Sequence, residues 1–134
     1  MIVVDTSVAV AAFATWHELH EPARAAVDRG GRLPGPVALE TYSVLTRLPA
    51  PHRVQPDLAR DFLSRRFSQP FLAMAAERYE SFVEGLPSRG IVGGAVYDAL
   101  VATIAADSGA TLVSCDRRAA ATYERCDAVV EYLA

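Results

Sequence analysis

The sequence predicts an α/β fold built on a mostly parallel sheet with helices on both faces, and three observations carry that expectation. Two short apolar runs, Met1-Ile2-Val3-Val4 and Thr111-Leu112-Val113-Ser114-Cys115, read as buried strands. Each breaks off at a carboxylate, Asp5 and Asp116. Between and after them, apolar residues recur at helical spacing in segments punctuated by Gly and Pro, so that strands and helices alternate as a parallel sheet requires. Open parallel sheets bind ligands in the crevice outside the carboxyl ends of their strands, so two strands ending in Asp predict an acidic pocket.

The elements follow in order. After the first strand, 7–14 is short and apolar, and a second helical stretch, 18–29, stops at Gly30-Gly31. Leu33-Pro34-Gly35-Pro36 is a brief extended segment. A third helix, 37–48, carries Val37, Val44, Leu45 and Leu48 and ends at Pro49-Ala50-Pro51. The fourth, 55–67, has Pro56 near its start and Leu58, Phe62, Leu63 and Phe67 as its stripe. Residues 70–72 are expected as a short edge strand and 75–86 as a helix closed by Pro87 and Gly90. Gly93-Gly94 turns the chain into a helix over 95–108, and Gly109 caps it before the second strand. A helix over 117–125 and a strand at 128–130 complete the order. The only boundary candidate, 49–56, has the length of a helix–helix turn, so residues 1–134 are expected to form one domain. The two amphipathic helices around that turn form a hairpin suited to a dimer or partner surface.

Composition narrows the function. A chain of 134 residues buries a sizeable core without disulfide staples. Cys115 and Cys126 stand singly, without the pairing or His spacing of a zinc site, and read as thiols of a reducing compartment. Asp5 interrupts the N-terminal apolar run far short of a signal peptide or bilayer span, so a cytoplasmic protein with no membrane association is expected. All 13 basic residues are Arg, in a chain of net charge -3. Arg forks onto phosphate, so clustered acids with scattered Arg suit a phosphate-bearing substrate held beside a metal.

Two further acids sit where a surface role is not expected. Glu40 shares its stripe with Val37 and Val44, and Asp98 shares a face with Val101, Ala102 and Ala105, so both are expected to point along buried helix faces. A buried carboxylate needs a compensating charge. Each acid also has an ordinary reading: Asp5 and Asp116 as helix caps, Asp98 as a first-turn acid, Glu40 as a partner of some Arg. The conjunction favours chemistry, because strand ends one and four, the third helix and the start of the helix before strand four meet at one sheet edge. Four carboxylates with no basic partner in their immediate sequence point to a hard divalent cation, Mg²⁺ or Mn²⁺. One or two such ions, if paired roughly 4 Å apart, activate water and stabilise the leaving oxygen of a phosphodiester. Asp5, Asp98 and Asp116 are the expected ligands, with Glu40 a ligand or a base orienting water. Thr6, Ser7 and Ser114 offer hydroxyls to orient the carboxylates. Arg117 and Arg118 are first choices for substrate phosphate, ahead of Arg65 and Arg66 on an exposed helix face. His17 and His20 lack the HExxH spacing and, with Phe13 and Trp16, are assigned outside the site.

The run Ile2-Val3-Val4-Asp5-Thr6-Ser7, the helical Glu40, Tyr97-Asp98-Ala99-Leu100-Val101-Ala102 and Leu112-Val113-Ser114-Cys115-Asp116-Arg117-Arg118 together resemble a PIN-domain ribonuclease, specifically a VapC-type toxin. The likeness spans essentially the whole chain and shows no departure at the four acids. It implies a PIN-like three-layer sandwich with about five strands, Mg²⁺- or Mn²⁺-dependent endoribonuclease activity, a homodimer, and a cognate antitoxin that inserts residues into the groove. Two other readings stand beside it. One is a phosphatase or phosphotransferase with Asp5 as nucleophile, disfavoured because Ser7 stands where a second Asp is wanted; the related receiver domain wants a late Lys, which the chain lacks. The other is a non-catalytic module that binds RNA or a protein through the same pocket.

Overall fold

Three parallel strands form the sheet: β1 (Ile2–Val4), β2 (Thr111–Ser114) and β3 (Val129–Tyr132), in the order β1-β2-β3. The computed structural model describes residues 1–133. Consecutive residues are buried along both inner strands, with Val3, Val4, Leu112 and Val113 fully inaccessible. A strand covered on only one face would alternate, so the continuous burial reports helices on both faces. β3 does alternate, as suits the edge.

Among the described residues seven helices surround the sheet: α1 (Thr6–Phe13), α2 (His20–Asp28), α3 (Gly35–Thr46), α4 (Pro56–Arg66), α5 (Arg78–Gly85), α6 (Ala95–Asp107) and α7 (Ala120–Arg125). The expected helix over 117–125 divides into a 3₁₀ turn, Arg117–Ala119, and α7. Two expected strands are reduced to single bridges, Arg32 to Val3 and Leu72 to Pro34. The ladder cannot lengthen there, because Pro34 has no N–H and Gly35 already starts α3, where Pro36 fits the first turn. The sheet therefore has three strands in place of about five, with two bridged segments extending it beyond β1.

The core runs from the inner strands through α1, α2 and α6, where small residues let elements approach closely: Ala9, Ala11, Ala23, Ala26, Ala99, Ala102 and Ala105 are all fully buried. A smaller cluster of Leu45, Val54 and Ala59 seals the α3–α4 turn. Short strands, a tight small-residue core and helix starts at both inner strand ends fix the position of every group discussed next.

Candidate active site

β1 ends one residue before Asp5 and β2 two residues before Asp116, so neighbouring parallel strands deliver both acids to one edge of the sheet. The Asp5 N–H still donates to the Val113 carbonyl at 3.2 Å, which ties the residue to β2. Its side chain caps α1, with Oδ1 accepting from the Val8 N–H at 3.2 Å. Asp116 caps the 3₁₀ turn in the same way, accepting from the Arg118 N–H at 3.0 Å. Capping and membership of an acidic site are thus not alternatives here: a strand that turns straight into a helix holds the carboxylate at the mouth of the crevice while the carboxylate holds the helix start.

A cleft of about 660 Å³ opens at this edge, and Asp5, Glu40, Asp98 and Asp116 all line it, with Thr6, Ser7, Arg117 and Arg118. Asp5 is buried, 4% exposed, while Asp98 and Asp116 are half-buried. Glu40 corrects the sequence expectation, since it is exposed. The buried face of α3 is Val37, Ala38, Thr41 and Leu45, which turns Glu40 and Val44 toward the cleft. The stripe read from sequence mixed residues facing the core with residues facing a solvent-filled cavity.

The acids feel one another. Burial holds the Asp98 carboxyl above its ordinary range, and the charges of Glu40, Asp116 and Asp5 push the same way, against a smaller opposing pull from Arg118. Arg118 also corrects the expectation that the acids lack a basic partner, because its Nε donates to Asp116 Oδ1 at 3.1 Å. It is the one ion pair to any of the four acids among the described residues. Arg117 instead lies over the Tyr132 ring, 4.7 Å from its centroid, and both arginines are exposed.

Hydroxyls brace the strand ends. Ser7 Oγ donates to Asp5 Oδ1 at 2.5 Å and accepts from the Cys115 N–H at 2.8 Å, clamping the end of β1 to the end of β2. Ser114, fully buried, accepts from the Asp116 N–H at 2.9 Å and shapes the turn beneath that acid. Thr6 lines the cleft without such a contact to an acid.

Several wall residues were not anticipated. His17, Glu18 and Leu19 form part of the lining, so His17 belongs to the cleft although its spacing from His20 pointed nowhere; His20 itself bonds the Ala11 carbonyl at 2.8 Å. Trp16 stacks on His52 with centroids 4.2 Å apart, and Phe13 meets Phe62 edge to face. Tyr123, from α7, is buried at 2% exposure and donates from its hydroxyl to Asp5 Oδ2 at 2.8 Å. Cys115 also lines the cleft, but burial and the charge of Asp5 push its thiol up to about 11, so it stays neutral and is a poor nucleophile.

The donor set fits a hard cation. It is all oxygen, it is net acidic after the single Arg118 pair, and its mutual repulsion is legible at Asp98. The acids are spread around the cleft wall rather than closed into a cage: among the described residues no three His, Cys, Asp or Glu side chains stand close enough together to grip an ion as they are.

Comparison with known proteins decides the family. The PIN domain model matches residues 2–125. The chain belongs to the PIN-domain family. Ribonuclease VapC40 of Mycobacterium tuberculosis is 49% identical to it over 131 residues, 98% of each chain. Ribonuclease VapC27 of the same organism is 42% identical over 125 residues, 92% of this chain and 90% of that one. The fold of this PIN domain is shared by FitAcB from Neisseria gonorrhoeae (TM-score 0.69, 17% identity, 97% and 96% coverage). It is shared equally by VapBC2 from Rickettsia felis, solved with a DNA fragment from their promoter (TM-score 0.69, 17% identity, 100% of each chain).

Proposed function

We propose that this PIN domain is a divalent-metal-dependent endoribonuclease, hydrolysing RNA phosphodiesters at the acidic cleft and acting as the toxin of a toxin–antitoxin pair. The observation that carries the reading is the convergence of Asp5, Glu40, Asp98 and Asp116 on one cleft, with the Asp98 carboxyl raised by burial and then by the charges of the other three. Similarity across nearly the full length to two proteins named ribonuclease VapC supports the substrate class and the toxin role.

In this reading Asp5, Asp98 and Asp116 would hold Mg²⁺ or Mn²⁺, which would supply a polarised water and charge stabilisation for the leaving oxygen. Glu40, solvated at the cleft wall, orients the attacking water and accepts its proton at a side-chain oxygen. Ser7 and Ser114 hold the turns that carry Asp5 and Asp116. Arg117 and Arg118, exposed at the rim, receive the substrate phosphates; the Arg118 pair to Asp116 is surface-exposed and opens at little cost. Asp5 is poorly suited to the alternative role of covalent nucleophile, because it is buried and both its oxygens already accept hydrogen bonds.

A cognate antitoxin is the expected protein partner, supported by the likeness to VapBC2 and FitAcB, and the chain is expected to act as a single-domain homodimer in the cytoplasm. No helix among the described residues is long and apolar enough to cross a membrane. The α3–α4 hairpin presents Leu39, Tyr42 and Leu58 to solvent, a surface of the kind partners cover.

Cleavage of a structured RNA pool with Mg²⁺, Mn²⁺ or EDTA tests the proposal, with Asp98→Asn as the control for a contaminating nuclease. Cutting that needs metal and disappears in the variant is expected. Tight RNA binding without cutting under any divalent ion would establish the non-catalytic module instead.

A further inference from the structure

Beyond the four acids, the cleft holds a buried polar group that the proposed reaction leaves without a role, the Tyr123 hydroxyl. Tyr123 lies 118 residues from Asp5 in sequence and reaches it from α7. The same short stretch carries Asp116 at its start, so one element brings a ligand candidate and a hydroxyl to the same edge. The ring is packed in the core, which leaves the hydroxyl little freedom to point elsewhere.

We infer that Tyr123 is a positioning residue that holds the Asp5 carboxylate in the orientation the cation requires, an inference that rests on the function proposed above. A carboxylate has about four lone-pair sites and donates nothing, so the phenol must be the donor. Oδ1 already accepts two donors, the Ser7 hydroxyl and the Val8 N–H, whereas Oδ2 accepts Tyr123 alone. The oxygen with a lone pair to spare is therefore Oδ2, and Tyr123 shares it with whatever binds there. Rotation of the carboxylate would break donors on both oxygens at once. Outer hydrogen bonds of this kind fix the direction and basicity of metal-binding side chains.

The test is a Mn²⁺ titration of the full chain by calorimetry, on wild type, Asp98→Asn and Tyr123→Phe, with melting temperatures in EDTA. Wild-type binding that Asp98→Asn removes establishes the acidic site on its own; a wild type that binds no Mn²⁺ overturns the proposed function and this inference with it. Given wild-type binding, Tyr123→Phe is expected to weaken Mn²⁺ affinity about tenfold or more. At saturating Mn²⁺ its kcat on RNA falls while KM for RNA is unchanged. Site-specific 4-aminophenylalanine at position 123, which keeps the ring and returns an N–H donor, restores most of the affinity. A folded Tyr123→Phe protein with wild-type Mn²⁺ affinity overturns the role, even if its melting temperature drops, because a purely structural hydroxyl moves the melt alone. Should Tyr123→Phe not fold, wild type labelled with ¹³C-tyrosine decides: the Tyr123 Cζ resonance shifts on Mg²⁺ addition if the phenol shares Oδ2 with the ion, and a stationary resonance overturns the proposal.

Discussion

Asp5 and Asp116 occupy equivalent places, each following a strand of one parallel pair and each capping the turn after it, yet they are held very differently. Asp5 is buried and accepts from Ser7, Val8 and Tyr123, donors from three different positions of the chain. Asp116 is half-buried, and its one side-chain partner is Arg118, whose own side chain is 93% exposed. Burial is the source of the contrast. A carboxylate withdrawn from water must have its lone pairs satisfied by the protein, whereas one at the rim is satisfied by water and by whatever charge drifts past. The molecule thus sets a fixed carboxylate beside an adjustable one, and the acidic site proposed to take a cation and a substrate in turn has use for both.

The contrast breaks most directly in Asp5→Ala. That change removes the α1 cap and strands the Tyr123 and Ser7 hydroxyls, so the metal-free fold should lose about 2–4 kcal/mol, against about 1 kcal/mol or less for Asp116→Ala. Urea unfolding in EDTA measures both, and equal losses would mean the two carboxylates are held alike. Even Asp5→Asn should destabilise the fold, since an amide places N–H groups where one of the carboxylate oxygens now accepts.

Asp98 sharpens the comparison from the opposite side, because its environment opposes its charge. An acid that binds its proton more tightly in the fold than in the unfolded chain contributes stability that is complete below its unfolded pKa and lost as pH rises through its raised folded value. Metal-free stability should therefore fall as pH climbs from about 4 toward neutrality. Asp98→Asn should flatten that slope and raise stability at neutral pH by up to about 1 kcal/mol. Thermal melts across pH in EDTA read the effect, and saturating Mn²⁺ should reverse the sign of the substitution.

The smallest effect on the fold belongs to Arg118→Ala, which should leave the melt unchanged within error because an exposed ion pair contributes little. Its effect lies in substrate binding: KM for RNA rises, kcat holds, and the slope of log affinity against log salt flattens by about 0.7, the contribution of one phosphate contact on a single strand. A changed melt with unchanged salt dependence would assign Arg118 to holding Asp116 alone.

What could be read from the chain divides along physical lines. The inner strands and the acids at their ends were legible, since a short apolar run ending in Asp is a local pattern and the rule for parallel sheets supplies its meaning. Glu40 was placed on the right helix but the wrong face. Helical periodicity reports which residues share a side, and cannot distinguish a side that meets the core from one that meets a cleft. Tyr123 left no local signal, because a polar six-residue helix says nothing about a partner 118 positions away. The spacing of His17 from His20 carries no sign of the cleft, because its place on the wall depends on how the segment between α1 and α2 bends back. The two missing strands show the reverse error: extended segments are easy to read, but whether they build a ladder depends on N–H groups that Pro34 and an early α3 remove.

The pairing of β1 with β2, Ile2 against Thr111 through Val4 against Val113, has a consequence for the timing of synthesis. Three of the groups that converge on the site, Asp116, Arg118 and Tyr123, lie beyond β2, and Asp5 waits for all of them. While the chain is being made, its first carboxylate emerges long before its neighbours, and no arrangement of the earlier residues can substitute for the missing strand. The acidic cleft and the β1–β2 pairing therefore form together, once the segment carrying Asp116 and Tyr123 has docked against the first strand.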